Sequence, residues 1–346
     1  MAPRDGCPFP GVPAEGRERT RGLEERGRTP VIAIENVREF PARARGAFVT
    51  IGNFDGVHLG HQALLTRLRQ RADAADAPAL VITFDPHPAT MLRPAEAPVP
   101  LVWPERELEL LAQAGATEVG VFRTGPWLLN LSAREFFDRV IREQFGALGL
   151  VEGPNFAFGH DRKGNIAILA EWCAEAGIAF EVVEGTQVDG QLVSSSRIRH
   201  ELSAGSVEKA ARLLTRPHRI RGVVARGAGR GAGLGFPTAN LENVDTLIPA
   251  DGVYAAVATI EGREPVFPAA CHIGPNATFG EQARTVEAHL LGFTGDLYGA
   301  RVELDFLRRL RGTRRFDGLD ELVRQVRQDI EETRRVCAGG NRDSRI

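Results

Sequence analysis

The sequence predicts an α/β domain with a parallel sheet, followed by a small antiparallel barrel or sandwich that a final helix closes. Three observations predict this fold class. Short apolar runs alternate with amphipathic stretches from Val31 to about Leu214. After Arg216 the segments alternate in polarity between Gly and Pro turns, without intervening helices. Residues 319–336 then have the periodicity of an amphipathic helix.

The front half contains five predicted buried strands with helices between them. Strands that alternate with helices pair in parallel through right-handed crossovers, and ligands bind at the carboxyl ends of such strands. Ser132 and Glu135 predict a capping box at the start of one helix. The predicted strands are 47–52, 79–84, 118–122, 147–153 and 179–185, and the predicted helices are 63–75, 132–145 and 164–177.

Length and composition fit two domains of a globular, cytoplasmic protein. The chain has 346 residues, of which 43% are hydrophobic and 25% charged. A formal net charge of -2 gives no global basic field, so we expect neither nucleic acid nor a membrane as a partner. No apolar run is long enough to span a bilayer. The four cysteines are scattered without the spacing of a zinc or redox pair, which is typical of reduced thiols.

Changes in composition give the predicted domain boundaries. Residues 1–30 are rich in Arg, Gly and Pro and lack the apolar core of a secretory signal, which predicts a disordered tail. The two domains are then predicted to cover 31–214 and 217–337, and a second disordered tail is predicted over 338–346.

The first candidate site lies where a strand runs into a helix. Gly52 and Gly56 allow a tight turn, and His58 and His61 are spaced to lie on one face of the helix start. A helix N-terminus adds free amides and a positive dipole end. This pattern predicts a pocket for a polyphosphate. The alternatives are histidines that cap, pack or bind zinc, although no third metal ligand is near them in the sequence.

The motif HLGH after GNFDG resembles the HxGH signature of the nucleotidyltransferase superfamily. The longer string is similar to the amino-terminal module of prokaryotic FAD synthetases. Three further segments agree with that family in order: TFDPHP (83–88), GPNFAFGHDRKGN (153–165) and VSSSRIR (193–199). The resemblance implies a doubly wound parallel-sheet domain that transfers an adenylyl group from ATP to FMN, giving FAD and pyrophosphate.

The resemblance also implies the residues that handle the phosphates. The FMN phosphate is already an anion, so the site must align two anions and stabilise charge, and it needs no general base. His58 and His61 would be catalytic, Arg199 would donate twice to phosphate, and Mg²⁺ would neutralise the leaving pyrophosphate. The other nucleotide-binding residues implied are Gly52, Asn53, Phe54, Asp55, Asn155, Ser195 and Ser196, and helix capping is the alternative for the two serines.

The second candidate site follows a stretch rich in Gly and Arg. On an extended segment Thr238 and Asn240 would point the same way, and both offer oxygen ligands suited to Mg²⁺ that carries ATP phosphates. A surface loop is the alternative. The string GFPTANL (235–241) is similar to the riboflavin kinase signature, and the similarity continues over 217–335. It implies a small antiparallel β-barrel kinase with a C-terminal helix.

Phosphorylation of riboflavin requires a base, because a ribityl hydroxyl must lose its proton as it attacks the γ-phosphate. Glu287 matches the base of that family, and the alternative is a solvent-facing strand carboxylate, which is the interpretation we give to Glu303. The resemblance assigns Thr238 and Asn240 to the metal. The residues it implies for nucleotide or flavin binding are Gly233, Gly235, Phe236, Pro237, Arg311 and Phe316.

The two halves together predict a bifunctional enzyme that phosphorylates riboflavin to FMN and then adenylylates FMN to FAD. The alternative is an FMN adenylyltransferase whose C-terminal module is a degenerate flavin-binding or regulatory domain. The family usually has other residues at His272, Ala277 and Gly292, and these departures bear on kinase rate and flavin affinity. The predicted partners are small-molecule substrates, for a monomer or a homo-oligomer.

Overall fold

A computed structural model of the chain describes residues 31–35, 40–227, 230–275 and 283–343. The tail predicted over 1–30, and Ala277, lie outside the described residues. The chain forms two compact units. The first comprises the described residues up to Asn53 with Leu65–Leu92 and Leu108–Val182, and the second comprises Phe54–Leu64, Arg93–Glu107 and the described residues from Val183 onward.

The predicted strands and helices occur in the predicted order, and the structure adds others, including the strand Val31–Ile34 and a short helix, Arg230–Gly233, in the segment predicted to have none before the last helix. The strands are β1 (Val31–Ile34), β2 (Phe48–Ile51), β3 (Ala79–Asp85), β4 (Glu118–Arg123), β5 (Gly149–Glu152), β6 (Ala157–Phe158), β7 (Gly164–Asn165), β8 (Ala179–Val182), β9 (Gln187–Val188), β10 (Gln191–Leu192), β11 (His218–Ala225), β12 (Ala239–Glu242), β13 (Gly252–Ile260), β14 (Phe267–Gly274), β15 (Thr285–Leu290) and β16 (Arg301–Arg311). The α-helices are α1 (Leu59–Ala74), α2 (Pro88–Leu92), α3 (Pro104–Gln113), α4 (Pro126–Leu129), α5 (Ala133–Glu135), α6 (Ile166–Ala176), α7 (Ser195–Ser203), α8 (Val207–Leu214), α9 (Arg230–Gly233) and α10 (Leu319–Asp343). Short 3-10 helices cover Ala42–Ala44, Pro94–Glu96 and His160–Arg162.

The first unit is built on a six-stranded sheet in the order β1-β4-β3-β2-β5-β8. Every neighbouring pair is parallel. The chain proceeds from β2 through β3 to β4 on one side and then through β5 to β8 on the other. The direction of winding thus reverses between β2 and β5, where an α/β sheet opens a crevice at the carboxyl ends of its strands. The predicted doubly wound parallel sheet is confirmed.

The helix predicted over 132–145 begins as predicted but changes its form. Ser132 Oγ accepts the Glu135 amide at 3.2 Å and the Glu135 carboxylate accepts the Ser132 amide at 3.1 Å, so the capping box is confirmed. After α5 the chain continues as a π-helix over Phe136–Gln144. Its wider turns still bury one face, including Phe137, against the sheet core.

The second unit contains a closed antiparallel barrel of six strands in the order β11-β12-β15-β14-β13-β16. Pairing of β11 with β16 closes the ring. Along β11 buried and half-buried residues alternate, as expected where one strand face packs inward and the other does not. Of the two architectures that the sequence left open, the barrel is therefore correct.

Two helices before the barrel share its hydrophobic core. Ile198 and Leu202 of α7 and Leu213 of α8 are buried in one cluster with the barrel residues Ile220 and Phe306. The barrel core thus extends to residues that precede position 217. Burial of these apolar side chains is the main favourable term that joins the helices to the barrel.

The C-terminal helix is longer than the sequence predicts. Helix α10 runs to Asp343, so 338–343 is helical where a disordered tail was expected, and the last three residues of the chain lie outside the described residues. The glycines 339 and 340 lower helix propensity without ending the helix. Among the helices that the structure describes, none combines the length and the apolar character needed to cross a membrane.

Candidate active sites

The carboxyl ends of β2 and β5 carry three of the predicted nucleotide-binding residues. The Gly52 amide donates to the Ile82 carbonyl at 2.9 Å, and Asn53 after it is exposed. Asn155 lies on an exposed turn just beyond β5. Buried Glu152 accepts the Ile51 amide at 2.9 Å, and burial raises the pKa of its carboxyl well above the ordinary range. This carboxyl bridges the two strands where their ladder ends.

Residues 54–61 form the paired-histidine turn, which leads into α1. The Val57 amide donates to the Phe54 carbonyl at 2.8 Å and closes the turn. Gly56 has φ +86 and Val57 has φ +38, so two successive residues occupy the left-handed region. A β-branched residue there is unusual, and contacts from outside the turn must hold it.

The two imidazoles of this turn stack on one another. The rings of His58 and His61 have centroids 3.6 Å apart and an interplanar angle of 18°, and Phe54 meets His61 edge-on at 5.2 Å. The His61 amide donates to Nδ1 of His58 at 3.3 Å, so that nitrogen carries no proton. A Cβ on Gly60 would lie 3.2 Å from Cε1 of His58, which explains why the position between the histidines suits glycine. The structure therefore brings both predicted histidines to one face.

Both imidazoles are neutral near pH 7. Burial lowers the pKa of His58 from 6.5 to about 4, with a smaller contribution from the charge of Arg216. Burial, followed by the charge of His58, lowers the pKa of His61 well below its ordinary value. Nδ1 of His61 is buried and has no hydrogen-bond partner within the part of the chain that the structure describes. The pair can thus offer hydrogen bonds to a phosphate, whereas it does not supply a resident positive charge.

Asp55 links the turn to α7. Its carboxylate accepts the Leu101 amide at 2.8 Å and pairs with the Arg199 guanidinium, which also donates to the Val99 carbonyl at 2.8 Å. The Ser195 hydroxyl donates to the Asp55 carbonyl at 2.8 Å. The structure therefore brings Asp55, Ser195 and Arg199 together, and Arg199 holds the turn in addition to any contact with phosphate.

Ser194 caps helix α7, a role for which the sequence offered the next two serines. Its hydroxyl accepts the Arg197 amide at 3.2 Å. Ser195 instead bonds to the paired-histidine turn, and Ser196 is exposed in the first helical turn. A serine at the N-cap is already satisfied by the helix, so the two serines inside the helix are the ones available for other contacts.

The second candidate site is a cavity of about 1010 Å³ on the wall of the barrel, which we call the kinase cavity after the family that residues 217–335 resemble. Strands β12, β14 and β15 form one side, and α10 forms another. The predicted site residues that line it are Phe236, Thr238, Asn240, Glu287, Arg311 and Phe316. A pocket of this size can hold most of a molecule as large as a nucleotide or a flavin.

Strand register assembles the polar centre of the kinase cavity. Asn240 of β12 pairs with Glu287 of β15, which pairs on its other side with His272 of β14. Directly opposed residues point to the same face of a sheet, so these three form one row. The Glu287 carboxylate accepts the Thr285 hydroxyl at 3.1 Å and the Thr238 hydroxyl at 3.4 Å. Glu287, Thr238 and Asn240 are therefore neighbours.

Thr238 and Asn240 beside this row fit Mg²⁺, because a hydroxyl and an amide oxygen are hard oxygen ligands that this ion takes. The backbone at Gly227 lies so close that a Cβ there would be 2.1 Å from the amide nitrogen of Asn240. A larger residue at position 227 would therefore displace the Asn240 side chain from the cavity wall.

Arg311 and Phe316 form a braced corner of the kinase cavity. The Arg311 guanidinium donates to the Asp329 carboxylate at 2.7 and 3.1 Å, and it lies 5.7 Å from the Phe316 ring. Arg314 lies over the same ring at 4.6 Å. Gln325 donates to Asp329 at 2.9 Å and completes the bracing from α10. The ion pair between Arg311 and Asp329 therefore fixes this corner of the cavity.

The glycine segment before β12 contributes less to the cavity lining than the sequence suggested. Of the residues described there, Gly233, Gly235 and Pro237 are not among the lining residues, although the Pro237 carbonyl accepts a hydrogen bond from Nδ1 of His289 at 2.7 Å. Gly235 has φ +85, which accounts for the glycine by backbone conformation alone.

Two residues of these sites were missed by the sequence analysis. Thr285 stands two positions before Glu287 on one strand, and this spacing could have indicated its contact with the carboxylate. Arg216, which donates to the carbonyls of Gly56 and Val57, carried no such signal, because its contact depends on how distant segments pack.

Family comparisons agree with these two sites. A family model described as FAD synthetase matches residues 40–197, and one described as riboflavin kinase matches residues 214–337. A crystal structure described as a macrolide-efflux protein from Streptococcus pneumoniae superposes with a TM-score of 0.78 at 30% identity, covering 88% of this chain and 98% of that chain. The fold is thus shared over nearly the whole of that protein.

Curated relatives carry both modules in one polypeptide. A bifunctional riboflavin kinase/FMN adenylyltransferase from Pseudomonas fluorescens is 37% identical over 85% of this chain and 94% of its own length. Proteins of the same description from Bacillus subtilis and Escherichia coli K12 are 34% and 32% identical, over 82% and 86% of this chain and 90% and 94% of their own lengths. These matches and both modules support the bifunctional interpretation and not the single-activity alternative. The chain belongs to the family of bifunctional riboflavin kinase/FMN adenylyltransferases.

Proposed function

We propose that the kinase cavity phosphorylates riboflavin and that the paired-histidine turn serves adenylyl transfer to the resulting FMN. The observation that carries this proposal is that Glu287 pairs with Asn240 and accepts a hydrogen bond from Thr238 in a cavity of about 1010 Å³. A carboxylate base next to oxygen ligands for Mg²⁺ is what transfer of a γ-phosphoryl group to an alcohol requires.

In the kinase reaction, Glu287 accepts the proton of the terminal ribityl hydroxyl. The hydroxyl oxygen then bonds to the γ-phosphorus of ATP, the bond from that phosphorus to the β,γ-bridging oxygen breaks, and ADP leaves. The hydroxyls of Thr285 and Thr238 orient the carboxylate through hydrogen bonds of 3.1 and 3.4 Å. Thr238 and Asn240 would hold Mg²⁺, which supplies charge neutralisation at the ATP phosphates.

In the adenylyl transfer, an oxygen of the FMN phosphate bonds to the α-phosphorus of ATP and pyrophosphate leaves. His58 and His61 donate hydrogen bonds to the phosphates as charge moves onto the leaving group. Nδ1 of His61 is buried and has no partner among the described residues, and this supports the role, since a ligand could satisfy it. Ser195, Ser196 and Arg199 adjoin the turn, and Gly52, Asn53, Phe54, Asp55 and Asn155 complete the proposed nucleotide-binding set.

The same proposal covers the flavin side of the kinase cavity and the setting of the enzyme. Phe236, Arg311 and Phe316 would contact nucleotide or flavin, together with backbone of Gly233, Gly235 and Pro237. We propose domains of 31–214 and 217–337, a cytoplasmic location, and small-molecule substrates as the partners.

The test is incubation of the chain with riboflavin, ATP and Mg²⁺, followed by chromatographic separation of FMN and FAD. We expect FMN to appear first and FAD to follow. FAD formed from supplied FMN without any FMN formed from riboflavin would contradict the kinase role, and FMN without FAD would contradict the transferase role.

A further inference from the structure

One residue of the kinase-matched segment reaches the paired-histidine turn. Arg216 lies between α8 and β11, within the 214–337 segment that matches riboflavin kinase. Its Nη2 donates to the Gly56 carbonyl, and its Nη1 donates to the carbonyls of Leu214 at 2.9 Å and Val57 at 3.4 Å. One guanidinium therefore joins the end of α8 to the turn that holds the two imidazoles.

The turn depends on donors of this kind because of its backbone. Gly56 and Val57 are both buried and both have positive φ, and side chains of Gln62 and Arg216 donate to their carbonyls. The left-handed conformation of Val57 is unfavourable for a β-branched residue, and a buried carbonyl left unpaired would destabilise the turn further. Donors that satisfy these carbonyls favour this turn over less strained alternatives.

A second contact joins the same two parts of the chain. The Gln62 amide nitrogen donates to the Val57 carbonyl at 2.9 Å and to the Thr215 hydroxyl at 2.8 Å. Two successive residues, Thr215 and Arg216, are thus hydrogen-bonded to the turn and to the first helical turn of α1. The contact is a small network and does not depend on one long side chain.

Arg216 also brings positive charge to a pair of neutral imidazoles. Burial, with smaller contributions from Arg106 and Arg219, lowers the pKa of its guanidinium to about 10, so it stays protonated at neutral pH. Its direct hydrogen bonds go to backbone carbonyls, and its charge acts on His58. A cation of this kind near a phosphate site favours anionic substrates.

We propose that Arg216 is a positioning residue for adenylyl transfer, which fixes the carbonyls of Gly56 and Val57 and thereby the orientation of His58 and His61. The inference rests on the proposed role of the paired-histidine turn. It means that the kinase-matched segment supplies a part needed by the other reaction, so adenylyl transfer depends on the junction between the two matched segments while riboflavin phosphorylation does not.

The experiment compares R216M, R216K and R212M in the full-length chain. Arg212 is the matched control, because it is exposed, lies one helical turn earlier and pairs only with Asp189, at 3.0 Å, among the described residues. For each protein, kcat and KM are measured separately for FAD formation from FMN and for FMN formation from riboflavin. The quantity that decides is the ratio of the two kcat values, which a general loss of folded enzyme would not change.

We expect R216M to lower this ratio about 10- to 100-fold, mainly through kcat of FAD formation, because misplaced catalytic groups reduce turnover. R216K should fall between R216M and the unmodified chain, since an ammonium keeps the charge without spanning two carbonyls. R212M should leave the ratio unchanged. A ratio in R216M equal to that in R212M would overturn the inference.

Two further outcomes keep the test decisive. If R216M does not fold, R216K decides: a ratio lowered about threefold or more supports the inference, and an unchanged ratio overturns it. If the unmodified chain forms no FAD from FMN and ATP, the proposed function of the turn fails. If the unmodified chain forms FAD and both R216M and R216K have the same ratio as R212M, the proposed function stands and this inference alone fails.

Discussion

The paired-histidine turn and the kinase cavity achieve their geometry in different ways. In the turn, His58 and His61 stand on a strained backbone that side chains from other segments hold in place. In the kinase cavity, Glu287 and Asn240 are neighbours because β12 and β15 pair in that register. A barrel ladder supplies many backbone hydrogen bonds, whereas the turn depends on a few. We therefore expect distant substitutions to harm the turn more than the cavity.

Among the substitutions that test this comparison, E287Q should have the largest effect on activity. We expect FMN formation to fall about 100- to 10,000-fold, since a base is lost, while FAD formation from supplied FMN is unchanged. Steady-state assays of both reactions on one preparation give the measurement. E303Q is the matched control, because that strand carboxylate faces Arg219 at 2.7 Å and does not line the cavity. Equal losses in both variants would contradict the assignment.

The reciprocal change is H61A in the turn. We expect FAD formation to fall about 100- to 1,000-fold through loss of a hydrogen bond to the phosphates, with FMN formation unchanged. H200A, at an exposed position late in α7, serves as control. Loss of both activities in a folded H61A protein would argue against two separate sites.

Acid should destabilise both the paired-histidine turn and the barrel. Burial lowers the pKa of His58 in the turn and of His218 in the barrel from 6.5 to about 4. The unfolded chain therefore binds protons that the folded chain excludes, so stability is lost as the pH falls from about 6.5 towards 4. Each histidine should cost about 2 kcal/mol in the free energy of unfolding at pH 5 relative to pH 7.5.

Urea unfolding at the two pH values measures this loss. His218 donates from Nε2 to the Leu247 carbonyl at 2.7 Å, so H218Q keeps a donor without a titrating group. We expect H218Q to lose about 2 kcal/mol less than the unmodified chain over this pH range. An identical pH dependence in the two proteins would show that folding does not lower the pKa of His218.

G60A should have the smallest effect on activity, because it displaces His58 without removing it. The added Cβ would lie 3.2 and 3.3 Å from two atoms of the His58 ring, so the ring must move by a few tenths of an ångström. We expect FAD formation to fall about tenfold, with FMN formation unchanged. G339A is the control, because nothing lies within 4 Å of its Cβ. A G60A enzyme as active as G339A would mean that the turn adapts easily.

The alternation of polarity along the chain predicted the class of each half of the fold, since it reflects which faces are buried. It predicted the parallel sheet and the antiparallel segments, while the spacing of Ser132 and Glu135 predicted the helix cap. It did not choose between a barrel and a sandwich, because closure depends on the pairing of β11 with β16, which are distant in sequence. Nor did periodicity separate an α-helix from the π-helix at Phe136–Gln144.

Site residues that belong to a sequence motif could be predicted. Site residues that come together only through strand register and packing could not. The histidines and the GFPTANL string stand out in the sequence, whereas the pairing of Asn240 with Glu287 requires strand register. Sequence spacing also could not show that Asp55 is tied to Arg199, or that Arg216 bonds to the turn. Such contacts join residues more than one hundred positions apart, and their existence depends on the folded core.

The row of Asn240, Glu287 and His272 limits how this protein can change during evolution. Inserting or deleting one residue in β15 would turn Glu287 into the barrel interior and bring its buried neighbour Ala288 to the substrate side. Length variation in these strands should therefore be rare among active descendants, while exchanges of side chains at fixed length stay open. Lineages of this enzyme could thus drift in turnover or flavin preference by substitution, whereas indels would be tolerated mainly in the connections between strands.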